Sequence, residues 1–123
     1  MKQHITVKQA KELSVELIMK QLNNDKLNLC ISFEESFWNA VAESTNIGRM
    51  IEILEDLSSS KDEQYIYFET SLRRNIDYVL HKVVYISHFD NGGHPTNKEF
   101  VNIELCDALW EALKYVFTLK IAQ

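Results

Sequence analysis

Glycine and proline are scarce in this chain and nearly all of them fall in one short stretch. Of the three glycines and one proline in 123 residues, Gly92, Gly93 and Pro95 lie within Asp90–Asn97, and only Gly48 lies elsewhere. A β-sandwich or barrel needs a turn about every ten residues, and the residues that make such turns are missing here. The sequence therefore predicts long helices, and its length predicts one domain with its own core.

About five helices are expected, in a single all-α domain over residues 1–123. Three Ser/Thr-x-x-Glu/Gln capping boxes predict helix starts, at Thr6 with Gln9, Ser32 with Glu35, and Thr96 with Glu99. Thr45 or Asn46 is expected to cap a further helix. The first helix is predicted over residues 6–23. The last is predicted to run to about Leu119 with an apolar side of Phe100, Ile103, Cys106, Trp110, Leu113, Phe117 and Ile121.

Residues 64–89 carry two stripes at helical spacing and are predicted to form one long helix. The aliphatic stripe consists of Leu72, Ile76, Val79, Val83 and Ile86, and the polar and aromatic stripe of Tyr67, Ser71, Arg74, Tyr78, His81, Tyr85 and His88. Residues two apart lie roughly 200° apart around a helix, so Val83 and Tyr85 are expected to point in opposite directions. The first stripe predicts a core face and the second a working surface.

The same region also fits an α+β alternative. Residues 64–68 and 83–89 are rich in β-branched and aromatic side chains, and Asn91-Gly92-Gly93 can connect strands. In that alternative, residues 83–89 pair with residues 100–105 as a hairpin.

Negative charge is concentrated in one quarter of the chain. Residues 31–63 carry eight acidic residues against Arg49 and Lys61, a net charge of −6, whereas the whole chain carries −5. Nucleic-acid binding needs the opposite sign, since Lys and Arg must neutralise phosphates. The pattern favours a basic protein partner. The expected partner-binding residues are Glu34, Glu35, Glu43, Glu52, Glu55, Asp56, Asp62 and Glu63, with Tyr67, Tyr78 and Tyr85 beside them.

Arg74-Asn75 followed by His81 resembles the Arg–polar–x(n)–His motif of HEPN ribonucleases. The resemblance implies an all-helical domain that cuts RNA without a metal, usually at a cleft between two protomers. It also implies that His81 is the general acid and base, and that Arg74 stabilises the phosphorane charge. An RNase should present basic surface, and this chain is acidic.

Other functional classes find little support in the sequence. There is no glycine-rich phosphate loop and no nucleophile motif, and on a helix His81 and His88 would stand ~10 Å apart, too far to share one metal ion. No cofactor is expected. Cys30 and Cys106 have no CxxC spacing and are expected to be small buried apolar residues, with a disulfide between them left open.

The first residues lack the apolar region of a secretory signal, and no apolar run approaches the ~18 residues of a membrane span. We therefore expect a cytoplasmic, non-enzymatic inhibitor or immunity-type protein that covers the active-site cleft of a basic toxin such as a nuclease. A HEPN-like ribonuclease and a homodimeric helical scaffold are the two alternatives.

Overall fold

The fold is α+β, with five helices and a three-stranded antiparallel sheet in the part of the chain that is described. A computed structural model describes residues 1–21, 34–59, 66–74, 79–89 and 93–121. The helices are α1 (Val7–Ala10), α2 (Val15–Gln21), α3 (Glu34–Ser44), α4 (Ile47–Ser59) and α5 (Leu105–Ile121). The strands are β1 (Tyr67–Arg74), β2 (Leu80–Phe89) and β3 (Pro95–Asn102). The prediction of an all-α domain is therefore wrong.

The strands follow one another across the sheet in the order β1-β2-β3, with β2 in the centre. β1 pairs with β2 from Tyr67 opposite Ser87 to Arg74 opposite Leu80. β2 and β3 form a hairpin, from Lys82 opposite Asn102 to Phe89 opposite Pro95. This hairpin is the α+β alternative that the sequence left open. Its first strand begins three residues earlier than predicted, and its second lies at Pro95–Asn102 and not at residues 100–105.

A period of two along β2 replaces the helical period predicted for residues 64–89. Val84, Ile86 and His88 are buried on the face that meets the helices. Side chains two apart in a strand share a face, so Val83 and Tyr85 point the same way, contrary to the prediction. We call the face turned away from the helices the outer face; it carries the odd-numbered residues of all three strands. Ile76 and Tyr78 of the predicted stripes lie outside the described residues.

Helix α5 supplies the centre of the core. Trp110, Leu113 and Phe117 are fully buried, and the helix packs against α4, β2 and β3. The predicted apolar side of this helix is confirmed from Cys106 to Phe117. Its predicted start is wrong, because the segment before Leu105 is strand β3.

The predicted Thr96–Glu99 capping box is also wrong, because both residues lie in strand β3 and not at the start of a helix. Thr96 lies opposite His88 and Glu99 opposite Tyr85, so they sit on the two different faces of β3. A side chain three residues away in a strand points to the other side of the sheet and cannot reach back to the first residue's backbone.

Two other predicted caps are confirmed. The Thr6 hydroxyl accepts from the Gln9 amide at 3.1 Å, and the Gln9 side chain accepts from the Thr6 amide at 2.9 Å. The Asn46 side chain accepts from the Arg49 amide at 2.8 Å and caps α4. The first helix is shorter than predicted, since α1 ends at Ala10 and α2 follows separately. Ser32 lies outside the described residues.

The N-terminal residues bind both the helical layer and α5. The Ile5 amide donates to the Thr45 carbonyl at 3.2 Å, and the Ile47 amide donates to the Gln3 carbonyl at 3.0 Å. The Lys2 ammonium forms an ion pair with Asp107 on α5. Among the described helices, none is both long enough and apolar enough to cross a bilayer.

Candidate functional site

Helices α3 and α4 follow one another in the chain, separated only by Thr45 and Asn46, and they carry the net negative charge of the protein. Residues 34–59 contain six acidic residues and Arg49 as the one basic residue, a formal charge of −5. That value equals the formal charge of the whole chain, so the remaining residues balance one another. Six of the eight carboxylates expected from sequence to bind a partner therefore belong to one unit of two consecutive helices. We call this unit the acidic helix pair.

An open groove of about 770 Å³ lies where the two helices of the acidic helix pair join. Its lining residues are Ala40, Glu43, Ser44, Asn46, Gly48, Arg49 and Glu52. Arg49 already pairs with Glu52, at 2.6 Å between Nη1 and Oε1. The groove thus has one neutralised carboxylate on α4 and a second, Glu43, on α3.

Several carboxylates of the acidic helix pair have no counterion. Glu35, Glu43 and Glu55 are exposed and make no hydrogen bond or ion pair with any part of the chain that the structure describes. Asp56 is exposed on the same helix as Glu55. Glu35, Glu43 and Glu55 project their charge into solvent, where it acts on an approaching partner. The side chain of Glu34 is not described, and Asp62 and Glu63 lie outside the described residues.

The tyrosines lie on a different surface from these carboxylates. Tyr67 and Tyr85 belong to the outer face of the sheet, whereas α3 and α4 pack with the core on its other side. The Tyr67 hydroxyl donates to Glu69 at 2.8 Å, and this hydrogen bond raises the pKa of Tyr67. The single surface of acids and tyrosines expected from sequence is therefore two surfaces. Tyr78 lies outside the described residues.

An ion pair that the sequence did not suggest crosses the outer face. Arg73 on β1 and Glu99 on β3 meet at 2.9 Å, and the hydrogen bond from Arg73 lowers the pKa of Glu99. In register, the pair passes over Val83 on the central strand, which is 2% exposed although it lies outside the main core. Only the strand pairing brings these charges together, so no spacing in the sequence could have revealed them.

Arg74 and His81, the pair suggested by the ribonuclease resemblance, lie on opposite faces of the sheet. His81 stands opposite Arg73, and Arg74 stands opposite Leu80. Neighbouring residues in a strand point to opposite sides, so the Arg74 guanidinium and the His81 ring cannot approach one phosphate together. The fold also lacks the all-helical setting that the resemblance implies.

Two further titratable groups, His88 and Cys106, lie inside the molecule. Across the described ranges, no three His, Cys, Asp or Glu side chains are placed to hold a metal ion. His88 is buried on the helix-facing side, with Nε2 2.7 Å from the Tyr115 hydroxyl. Cys106 is a free, buried thiol whose pKa burial raises to about 11, a value that suppresses the reactive thiolate at neutral pH. Cys30 lies outside the described residues.

No protein-family model, curated protein or solved structure matches this chain. Two surfaces of the described structure are candidates for binding a partner: the acidic helix pair, and the outer face of the sheet with its edges.

Proposed function

We propose that this protein is a cytoplasmic, non-enzymatic binding domain that captures a basic protein with its acidic helix pair. In its specific form, the proposal is an inhibitor or immunity-type protein that covers the positively charged cleft of a toxin such as a nuclease. The observation that supports it is the placement of the entire formal charge of −5 on residues 34–59, including carboxylates without counterions.

The shape of the groove suits a basic side chain. Glu43 lines one wall without a counterion, while Glu52 on the other wall is engaged by Arg49. A lysine or arginine from a partner would gain the free carboxylate and could compete with Arg49 for the other. Bidentate contact between guanidinium and carboxylate is among the stronger polar interactions at protein interfaces.

The uncompensated carboxylates also predict how the complex forms. One-signed charge attracts an opposite surface over about 10 Å at 0.1 M salt, which raises the association rate more than it slows dissociation. We therefore expect association to be fast at low salt and to slow steeply as salt rises.

The test begins with affinity purification from the native host and identification of the retained protein by mass spectrometry. The association rate of that purified protein is then measured by biolayer interferometry at low and high salt. Glu43→Gln with Glu55→Gln is expected to reduce the rate constant about tenfold at 50 mM salt and hardly at all at 500 mM. Both residues are exposed, so the fold should tolerate the changes.

Glu16→Gln is the matched control, because Glu16 is exposed on α2, outside the acidic helix pair. It removes one charge and should leave the rate nearly unchanged. An acidic retained protein, or equal effects of the control and the paired substitutions per charge removed, would refute the proposal.

A further inference from the structure

Strand β1 has one open side along its whole length. It pairs with β2 on one side, and no other described strand lies on its other side. Apart from the Tyr67–Glu69 hydrogen bond and the Arg73–Glu99 ion pair, its residues make no further polar contact with the described residues, and all of them except Phe68 are exposed. Such an edge presents a row of backbone N–H and C=O groups that can template another strand.

The two edges of the sheet differ in how they are protected. β3 begins with Pro95, which has no N–H to donate. β1 has no proline, glycine or bulge, and its pairing with β2 continues without interruption over eight residues. Natural proteins usually cover or interrupt an edge of that kind, so β1 is the edge suited to receive a strand.

The charges along β1 are arranged symmetrically. Glu69 and Arg73 lie two residues to either side of Ser71, and all three belong to the outer face. If two copies of β1 pair antiparallel about Ser71, Glu69 of each copy stands opposite Arg73 of the other. The same register places Phe68 opposite Arg74 and Thr70 opposite Leu72.

Other registers that keep the outer faces on the same side are less favourable. A two-fold axis at Glu69 or at Arg73 would set like charges directly against each other, which destabilises a sheet. An axis at Thr70 places Glu69 opposite Ser71, and one at Leu72 places Arg73 opposite Ser71, so neither gives a pair of opposite charges. The register centred on Ser71 instead gives two opposite-charge pairs and places the aliphatic Leu72, 63% exposed in the monomer, beside a neighbouring chain. Charge complementarity thus selects a second copy of this chain, in one register, as the occupant of the edge.

We propose that the protein forms a two-fold symmetric homodimer through β1, which joins the two sheets into one antiparallel sheet of six strands. The helical layers of both copies then lie on the same side of that sheet, and the two acidic helix pairs are presented together. The dimer does not depend on the identity of the basic partner, so either proposal can fail while the other stands.

Disulfide trapping tests the register directly. Residues directly opposite in an antiparallel pair have Cα atoms about 4.5–5.5 Å apart, within the range of a disulfide. In a Cys30→Ser background, Ser71→Cys should give a covalent dimer on mild oxidation, seen as a doubled mass on non-reducing gels. Asn97→Cys, exposed on the outer face at the other edge strand, is the matched control and should remain monomeric.

A charge-swap series tests the contacts by sedimentation equilibrium. The series is made in a Glu99→Gln background, because Glu99 binds Arg73 within one copy. There, Glu69→Lys alone or Arg73→Glu alone should raise the dimer dissociation constant about tenfold, and the two together should restore it. Restoration cannot come from within one copy, because residues four apart in a strand are roughly 13 Å apart. A monomer at all accessible concentrations, equal trapping of the two cysteine variants, or a double variant no tighter than the singles would overturn the proposal.

Discussion

The contact between Glu12 and Trp110 permits the most detailed stability prediction. The Trp110 ring is fully buried in α5, and its indole N–H donates to Glu12 Oε1 at 2.9 Å. The other carboxylate oxygen accepts from Lys114 Nζ, also at 2.9 Å. Since a buried donor without an acceptor is costly, the perturbation that isolates this contact is Glu12→Ala.

The expected magnitude follows from what each partner loses. An unsatisfied buried N–H costs about 1–3 kcal/mol, whereas the Lys114 ion pair is largely exposed and contributes under ~1 kcal/mol. We therefore expect Glu12→Ala to lower the free energy of unfolding by about 2 kcal/mol. Glu12→Gln keeps a neutral acceptor for the indole and should cost about 1 kcal/mol or less.

The contact should also depend on pH. Burial raises the pKa of Glu12, but the hydrogen bonds from Trp110 and Lys114 outweigh that effect and leave the pKa below its usual value. A carboxyl with a lowered folded-state pKa stabilises the fold above its unfolded pKa, about 4.3, and loses that contribution as the pH falls through the folded value. The difference between the protein and Glu12→Ala should therefore shrink on acidification from pH 6 to pH 3.

Urea unfolding, followed by tryptophan fluorescence and by circular dichroism, measures the free energy of unfolding of the protein, of Glu12→Ala and of Glu12→Gln, at pH 7 and on acidification. For a domain of this size, ~2 kcal/mol lowers the urea midpoint by about 1 M. Glu111→Gln is the control, because it removes the other carboxylate bound to Lys114 and leaves the indole bond intact. Equal midpoints for the protein and Glu12→Ala at pH 7, or a loss from Glu111→Gln as large as that from Glu12→Ala, would contradict the reasoning.

Three further predictions address the core, a turn and a thiol. Leu113→Ala removes a fully buried side chain from α5 and should cost about 2–5 kcal/mol of unfolding free energy, measured in urea. Gly93 has φ of +78° and open space around it, so Gly93→Ala should cost about 1 kcal/mol through the backbone alone, and Gly93→Asn less, measured as thermal midpoints. The Cys106 thiol, with a pKa of about 11, should resist iodoacetamide in the folded protein at pH 8 and react fully in denaturant, followed by peptide mass mapping; rapid labelling of folded protein would contradict its burial.

The sequence predicted those parts of the fold in which local chemistry decides the structure. The Thr6–Gln9 box and the Asn46 cap are satisfied by residues three positions away, so both are visible in a short window. The buried side of α5 is also visible, because its apolar residues recur at helical spacing over more than three turns. The clustering of acidic residues on α3 and α4 required only a count along the chain.

The sheet could not be predicted with the same security. Strand β1 shows no alternation of apolar and polar residues, since both of its faces are largely exposed. Along β2, the spacing of Val83 and Ile86 fits a helix, while that of Val84, Ile86 and His88 fits a strand. Pairing with β1 and β3 decides between them, and pairing is a contact between distant residues. The Arg73–Glu99 pair and the separation of Arg74 from His81 follow from that same register.

The position of α5 in the chain has a consequence for synthesis on the ribosome. The N-terminal helices share one hydrophobic core with α5, which begins at Leu105. Glu12 and Lys2 also bind residues of that helix, Trp110 and Asp107. At about 10 residues per second, roughly six seconds pass between completion of α4 and completion of α5. During that interval the apolar side of α4 lacks its contacts with α5. The nascent chain should therefore be a chaperone client until α5 leaves the exit tunnel.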